Sequence, residues 1–166
     1  MAAPRRIGIL TGGGDVPGLN SVIKSVTYRS SELGYEVVGL RRGWESLTHM
    51  RPGPEPDPDY VRPLDRIVTR TIDRTGGTFL HSSRTNPKKM RPNKVPAWFP
   101  KDRLPALQSG EDLYDFTPVV LENLERLGIH TLVSIGGDDT LSYSKVLADA
   151  GVQIIAIPKT MDNDVK

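Results

Sequence analysis

Twice along this chain a short apolar run stops at glycines and polar residues, and apolar residues at helical spacing follow. The first run is Arg6-Ile7-Gly8-Ile9-Leu10, which leads into Thr11-Gly12-Gly13-Gly14-Asp15 and then Pro17-Gly18. From there Leu19, Val22, Ile23 and Val26 recur with a helical period, Gly34 ends the helix, and Val37-Val38-Gly39-Leu40 reads as a strand. The later part repeats the pattern. Thr117-Pro118 reads as a cap and first-turn pair, and Val120, Leu124 and Leu127 line one helical face before Gly128. The strand Leu132 to Ile135 ends in Gly136-Gly137-Asp138-Asp139-Thr140. Tyr143, Val146, Leu147 and Ala150 make the next face, Gly151 stops it, and Gln153 to Ile157 is a last strand before Pro158 to Asp164. Near-continuous apolar strands joined by helices suit a sheet buried on both faces, because parallel neighbours require long crossovers. The expected class is α/β, an open and mostly parallel sheet with helices on both faces, Rossmann-like in plan.

What lies between the two patterns is irregular. Ten of the 14 prolines fall between Pro52 and Pro105, and they make residues 51–63 and 86–110 read as proline-rich loop insertions in one domain. The 166-residue length fits that single domain. No cysteine is present, which excludes disulfide frameworks, thiolate metal sites and cysteine nucleophiles. No apolar run approaches the roughly 20 residues of a membrane span, and Met1 to Arg6 does not read as a signal peptide. A cytoplasmic protein with no membrane partner is the expectation. From Arg84 to Arg103 there are seven basic side chains against one acid, Asp102. Such a stretch reads as a solvated connector, as a cationic loop beside an anionic substrate, or as a nucleic-acid contact with Trp98 and Phe99 stacking on bases. The connector reading is preferred to the nucleic-acid one, so no nucleic-acid partner is expected.

Three polar clusters follow apolar strands, which puts all three at the carboxyl edge of one sheet, where open α/β sheets bind ligands. Thr11 to Gly18 offers backbone amides at a helix start, suited to phosphate, although it lacks the P-loop Gly-Lys-Ser/Thr and Pro17 breaks the dinucleotide spacing. A tight turn before a proline-started helix explains that cluster equally well. Asp138 and Asp139 open a helix, where an aspartate can serve as a cap. Two together suit a hard cation such as magnesium, which takes one or two carboxylates plus substrate phosphates. Lys159 to Asp164 concentrates a lysine, a threonine and two aspartates at one strand end. A carboxylate there can take a proton from a substrate hydroxyl while cations hold the transferring phosphate.

Together the stretches Gly8 to Asp15 with Pro17 to Asn20, Gly76-Gly77-Thr78-Phe79-Leu80, Gly136 to Thr140 and Pro158 to Asp164 resemble the phosphofructokinase family. The resemblance implies the N-terminal domain of that fold, and phosphoryl transfer to the 1-hydroxyl of fructose 6-phosphate. It implies that the Gly13 amide and Arg84 meet the phosphoryl donor and that Asp138 holds Mg2+, directly or through water. It further implies that Thr160 and Asp162 meet the sugar phosphate, with Asp162 as the base and Asp164 supporting it. No histidine matches a family role. Family members are longer and form homo-oligomers. The resemblance therefore implies that residues 1–166 are a donor and catalytic domain incomplete at its C-terminus, inactive alone.

Two positions bear on the donor. Members of the family that use ATP usually carry glycine at the positions of Asp139 and Lys159, whereas pyrophosphate-dependent members resemble this chain at both. A carboxylate at Asp139 would occupy space and repel charge where the inner phosphate and nucleoside of ATP pass. A cation at Lys159 could hold pyrophosphate and stabilise the leaving phosphate. The expected donor is pyrophosphate. The alternatives are an ATP-dependent member, a relative of the NAD and lipid kinases with their Gly-Gly-Asp motif, and a non-catalytic phosphate or sugar-phosphate binding subunit.

Overall fold

Strand residues send successive side chains to opposite faces, and here neighbours in sequence enter different cores. Ile9, Val37 and Val133 pack with Leu19, Ile23 and Leu80, while Leu10, Val38 and Leu132 pack with Leu47, Val120 and Leu147. That division is why the strands read as unbroken apolar runs. The computed structural model describes residues 5–163. Its main sheet contains β1 (Arg6–Thr11), β2 (Glu36–Leu40), β3 (Val61–Leu64), β6 (Ile129–Gly136) and β7 (Gln153–Pro158), in the order β3-β2-β1-β6-β7. The helices are α1 (Leu19–Glu32), α2 (Glu45–His49), α3 (Leu104–Leu107), α4 (Thr117–Arg126) and α5 (Asp138–Asp149). A small hairpin joins β4 (Gln108–Gly110) to β5 (Leu113–Tyr114). No helix among the described residues is long and apolar enough to cross a membrane.

The structure is a mostly parallel α/β sheet, as expected: β1 pairs in parallel with β2 and β6, and β6 with β7. Four details differ from the sequence reading. β3 runs antiparallel to β2 and takes in Pro63, inside a segment read as loop. An outer strand tolerates proline because it needs only one row of hydrogen bonds. β7, the opposite outer strand, is not covered on both faces; Ile155 is 53% exposed. Thr117 is the first residue of α4 rather than its cap: Phe116 occupies the cap position, and the Asp115 carboxylate before it accepts from the Thr117 N–H at 2.9 Å. The Thr117 hydroxyl instead accepts from Tyr143 Oη at 3.2 Å, and burial pushes that phenol's pKa upward.

The fourth detail is residues 86–110, which hold more structure than a loop. Three single 3-10 turns and α3 bring Met90, Phe99 and Leu107 against Phe116 and Val119 in a third apolar cluster. Phe99 is buried, and the Trp98 indole N–H donates to the His49 carbonyl at 3.2 Å. The two aromatic residues that could have stacked on bases are thus engaged within the protein, against the nucleic-acid reading.

Candidate functional site

The sheet changes direction between β1 and β6: the chain leaves β1 for β2 on one side and β6 for β7 on the other. Crevices at such switch points collect ligands. The Gly12 N–H donates to the Ile135 carbonyl at 2.8 Å, and the Lys159 N–H to the Gly136 carbonyl at 3.0 Å, so three strand ends meet. Thr140, buried in the first turn of α5, sits under both glycine turns. A Cβ on Gly12 or on Gly136 would run into its side chain. Gly12 and Gly136 therefore have a packing reason to be glycine.

A second loop is tied over this edge by polar side chains. Asn20 is buried on α1; its amide donates to the Thr75 carbonyl at 3.1 Å and accepts from the Phe79 N–H at 2.7 Å. Thr78 and Thr11 hydroxyls bond at 2.8 Å, and Thr11 donates on to the His81 carbonyl at 2.9 Å. His81 thus contributes its backbone, in a left-handed conformation with φ 58°. These bonds orient the Gly76 to Leu80 segment and the chain that runs on to Arg84. The sequence reading assigned Asn20 no such task. The available signal was a polar residue on the apolar face between Leu19 and Ile23. Asn20→Ala should cost about 1–3 kcal/mol, because a buried carbonyl and amide lose their partner. Chemical denaturation checks this; an unchanged midpoint would mean that the loop is held by other contacts.

Around these ends lies a cavity of about 460 Å³, lined by Gly13, Trp44, Arg84, Lys89, Asp139 and Thr140 among others. Three residues expected at the donor, Gly13, Arg84 and Asp139, are brought together there. Trp44 and Lys89 were not foreseen. Trp44 is part of the cavity lining, and its buried indole N–H has no hydrogen-bond partner among the described residues. The Lys159 ammonium reaches across from the end of β7 and donates to the Gly14 carbonyl. It lies 3.1 Å from the place a Gly13 Cβ would occupy. Asp138 and Asp139 are exposed in the first turn of α5, where the amide ends carry partial positive charge.

Thr160 and Asp162 follow β7 and do not line this cavity. Asp162 is exposed, and its N–H donates to Thr160 Oγ1 at 3.1 Å. Asp164 lies outside the described residues. Among the described residues no group of three or more His, Asp or Glu side chains could hold a metal ion. A slightly larger cavity of about 480 Å³ opens at the amino ends of β1 and β2. It gathers no such convergence of cations and backbone amides; Arg6, on its wall, is already paired with Glu36 at 2.8 Å.

Residues 6–166 match the profile of the family described as phosphofructokinase. A pyrophosphate–fructose 6-phosphate 1-phosphotransferase of Streptomyces coelicolor is 40% identical over 162 residues, 96% of this chain and 38% of that protein. An ATP-dependent 6-phosphofructokinase 3 of the same organism is 36% identical over 161 residues, 96% of this chain and 38% of that protein. The chain therefore spans well under half the length of these relatives. The crystal structure of Pichia pastoris phosphofructokinase in the T-state superposes with a TM-score of 0.69 at 22% identity, over 99% of this chain and 16% of that one. That likeness bears on the fold, the sequence matches on the family. The chain belongs to the phosphofructokinase family.

Proposed function

We propose that this chain supplies the donor site and the base of an enzyme that moves a phosphoryl group from pyrophosphate to the 1-hydroxyl of fructose 6-phosphate. The observation that carries the reading is Lys159, whose ammonium lies against the Gly13–Gly14 loop at the edge of a cavity that also exposes Arg84 and Asp139. Cations fixed in advance where charge develops on a leaving phosphate are the strongest aid a protein gives this reaction. The Gly13 amide and Arg84 hold the donor. Thr160 and Asp162 face the sugar phosphate, the Asp162 carboxylate takes the hydroxyl proton as the oxygen attacks phosphorus, and Asp164 supports it.

Magnesium fits the donor set in one form. Asp138 is an exposed carboxylate next to Asp139 of the cavity wall, and Mg2+ is commonly held by one or two carboxylates with substrate phosphates and water completing the shell. An ion held by Asp138 would neutralise charge on the phosphates. The resemblance also supports a cytoplasmic homo-oligomer for the complete protein.

ATP is the rival donor, favoured by the similar identity to an ATP-dependent relative. Asp139 weighs against it, since it puts a carboxylate on the wall that a nucleoside triphosphate would have to pass. The test uses the protein expressed over its full natural reading frame, supplied with fructose 6-phosphate and either donor. Fructose 1,6-bisphosphate should form rapidly with pyrophosphate and slowly or not at all with ATP. Strong turnover with ATP alone overturns the assignment.

A further inference from the structure

The turn after β7 carries a sulfur atom that the proposed chemistry leaves unused. The 166 residues contain four methionines and no cysteine. Met50 and Met90 are buried, at 1% and 2% exposure, whereas Met161 is 66% exposed. Met1 lies outside the described residues. Met161 is therefore the one accessible sulfur among the described residues. It stands between Thr160 and Asp162, the residue read as the base. A Cβ on Gly14 would run into its sulfur, so the thioether rests directly on the backbone of the Gly13–Gly14 loop. The Lys159 ammonium donates to the carbonyl of the same glycine. Two of the three residues before Asp162 thus grip Gly14, one by apolar contact and one by charge.

A thioether contact of this kind is lost when the sulfur takes up oxygen, because methionine is flexible and apolar while its sulfoxide is polar. The new S–O dipole draws water and hydrogen-bond donors, and the Lys159 ammonium is a donor held at the same glycine. We propose that Met161 is a reversible oxidation site, at which a peroxide withdraws this turn from Gly14 and switches off phosphoryl transfer. This rests on the reading of Asp162 as the base. A general base works only within hydrogen-bond reach of its proton, and a misplacement of about 1 Å can cost about a hundredfold in rate. A cleft that admits a sugar phosphate to Asp162 also admits hydrogen peroxide to the residue beside it. In the step itself an S–O bond forms as the peroxide O–O bond breaks. Sulfur gives up two electrons, and the second oxygen leaves as water with both protons. A dithiol reductase reverses the change: its two thiols become a disulfide and the sulfoxide oxygen leaves as water.

The test treats the full-length protein with hydrogen peroxide, maps the oxidised residues by peptide mass spectrometry, and assays it with fructose 6-phosphate and whichever donor it turns over. Met161 should gain one oxygen before Met50 and Met90 do, and kcat should fall at least about tenfold. Methionine sulfoxide reductase with a dithiol should restore the rate. Met161→Leu exchanges one apolar side chain for another of similar volume and removes the sulfur. Its rate should survive the same peroxide treatment. Each protein is compared with its own untreated sample, so any effect of the substitution on basal activity drops out. Earlier oxidation of Met50 or Met90, oxidation of Met161 without loss of rate, or equal inactivation of the Met161→Leu protein overturns the proposal while untreated turnover persists. An untreated protein that forms no fructose 1,6-bisphosphate with pyrophosphate or with ATP overturns the functional reading instead, and the switch falls with it.

Discussion

Asp162→Asn should lower kcat roughly a thousandfold, within the range that a general base contributes, and leave fructose 6-phosphate binding nearly intact. The two side chains are nearly the same size, and asparagine keeps an oxygen that can accept a hydrogen bond. It cannot take the proton of the attacking hydroxyl. Because Asp162 is exposed and its backbone N–H makes the bond to Thr160 Oγ1, the exchange leaves that loop bond in place. Steady-state rates on the full-length protein, paired with calorimetry on fructose 6-phosphate, separate chemistry from binding. A variant that keeps a near wild-type rate would show that the base is elsewhere. One that loses sugar-phosphate affinity and keeps its rate would make Asp162 a binding residue.

Lys159→Gln should reduce kcat/KM for pyrophosphate by about a hundredfold to a thousandfold, the cost of removing one preorganised donor from a developing oxyanion. Glutamine keeps a neutral N–H donor on a side chain one bond shorter than that of lysine, which limits the change in packing at the Gly14 carbonyl. What disappears is the positive charge over the Gly13–Gly14 turn. Any residual activity with ATP should fall far less, since a nucleotide leaving group is expected to depend less on this cation. Parallel measurement with both donors is the check. A loss of equal size for pyrophosphate and ATP would make Lys159 a general phosphate contact with no part in donor choice.

Both expectations concern residues that the sequence pointed to through spacing, and the reason is physical. Apolar runs buried on both faces mark parallel strands, so the polar residues after each run must share one sheet edge. That logic brings Gly13, Asp138, Asp139 and Lys159 to the same end of the molecule. It carried less weight in residues 86–110, where prolines suppress periodicity. There the order comes from burial of Met90, Phe99 and Leu107 against Phe116, a long-range match with no local signature. β3 was hidden for a similar reason, because an outer strand carrying proline has neither alternation nor an apolar run.

The sequence by itself determined the α/β class, the two strand–turn–helix units, and the set of polar residues at the strand ends, because each depends on local period and on backbone freedom at glycine. Tertiary structure alone decided how those ends fit together. Thr140 fills the space under Gly12 and Gly136, Asn20 holds the Thr75–Phe79 loop, and Lys159 crosses β6 to reach Gly14. It also brought Arg84 and Lys89, from an apparent basic connector, to the wall of the donor cavity. Contacts between residues far apart in the chain leave no periodic trace, so only the folded chain displays them.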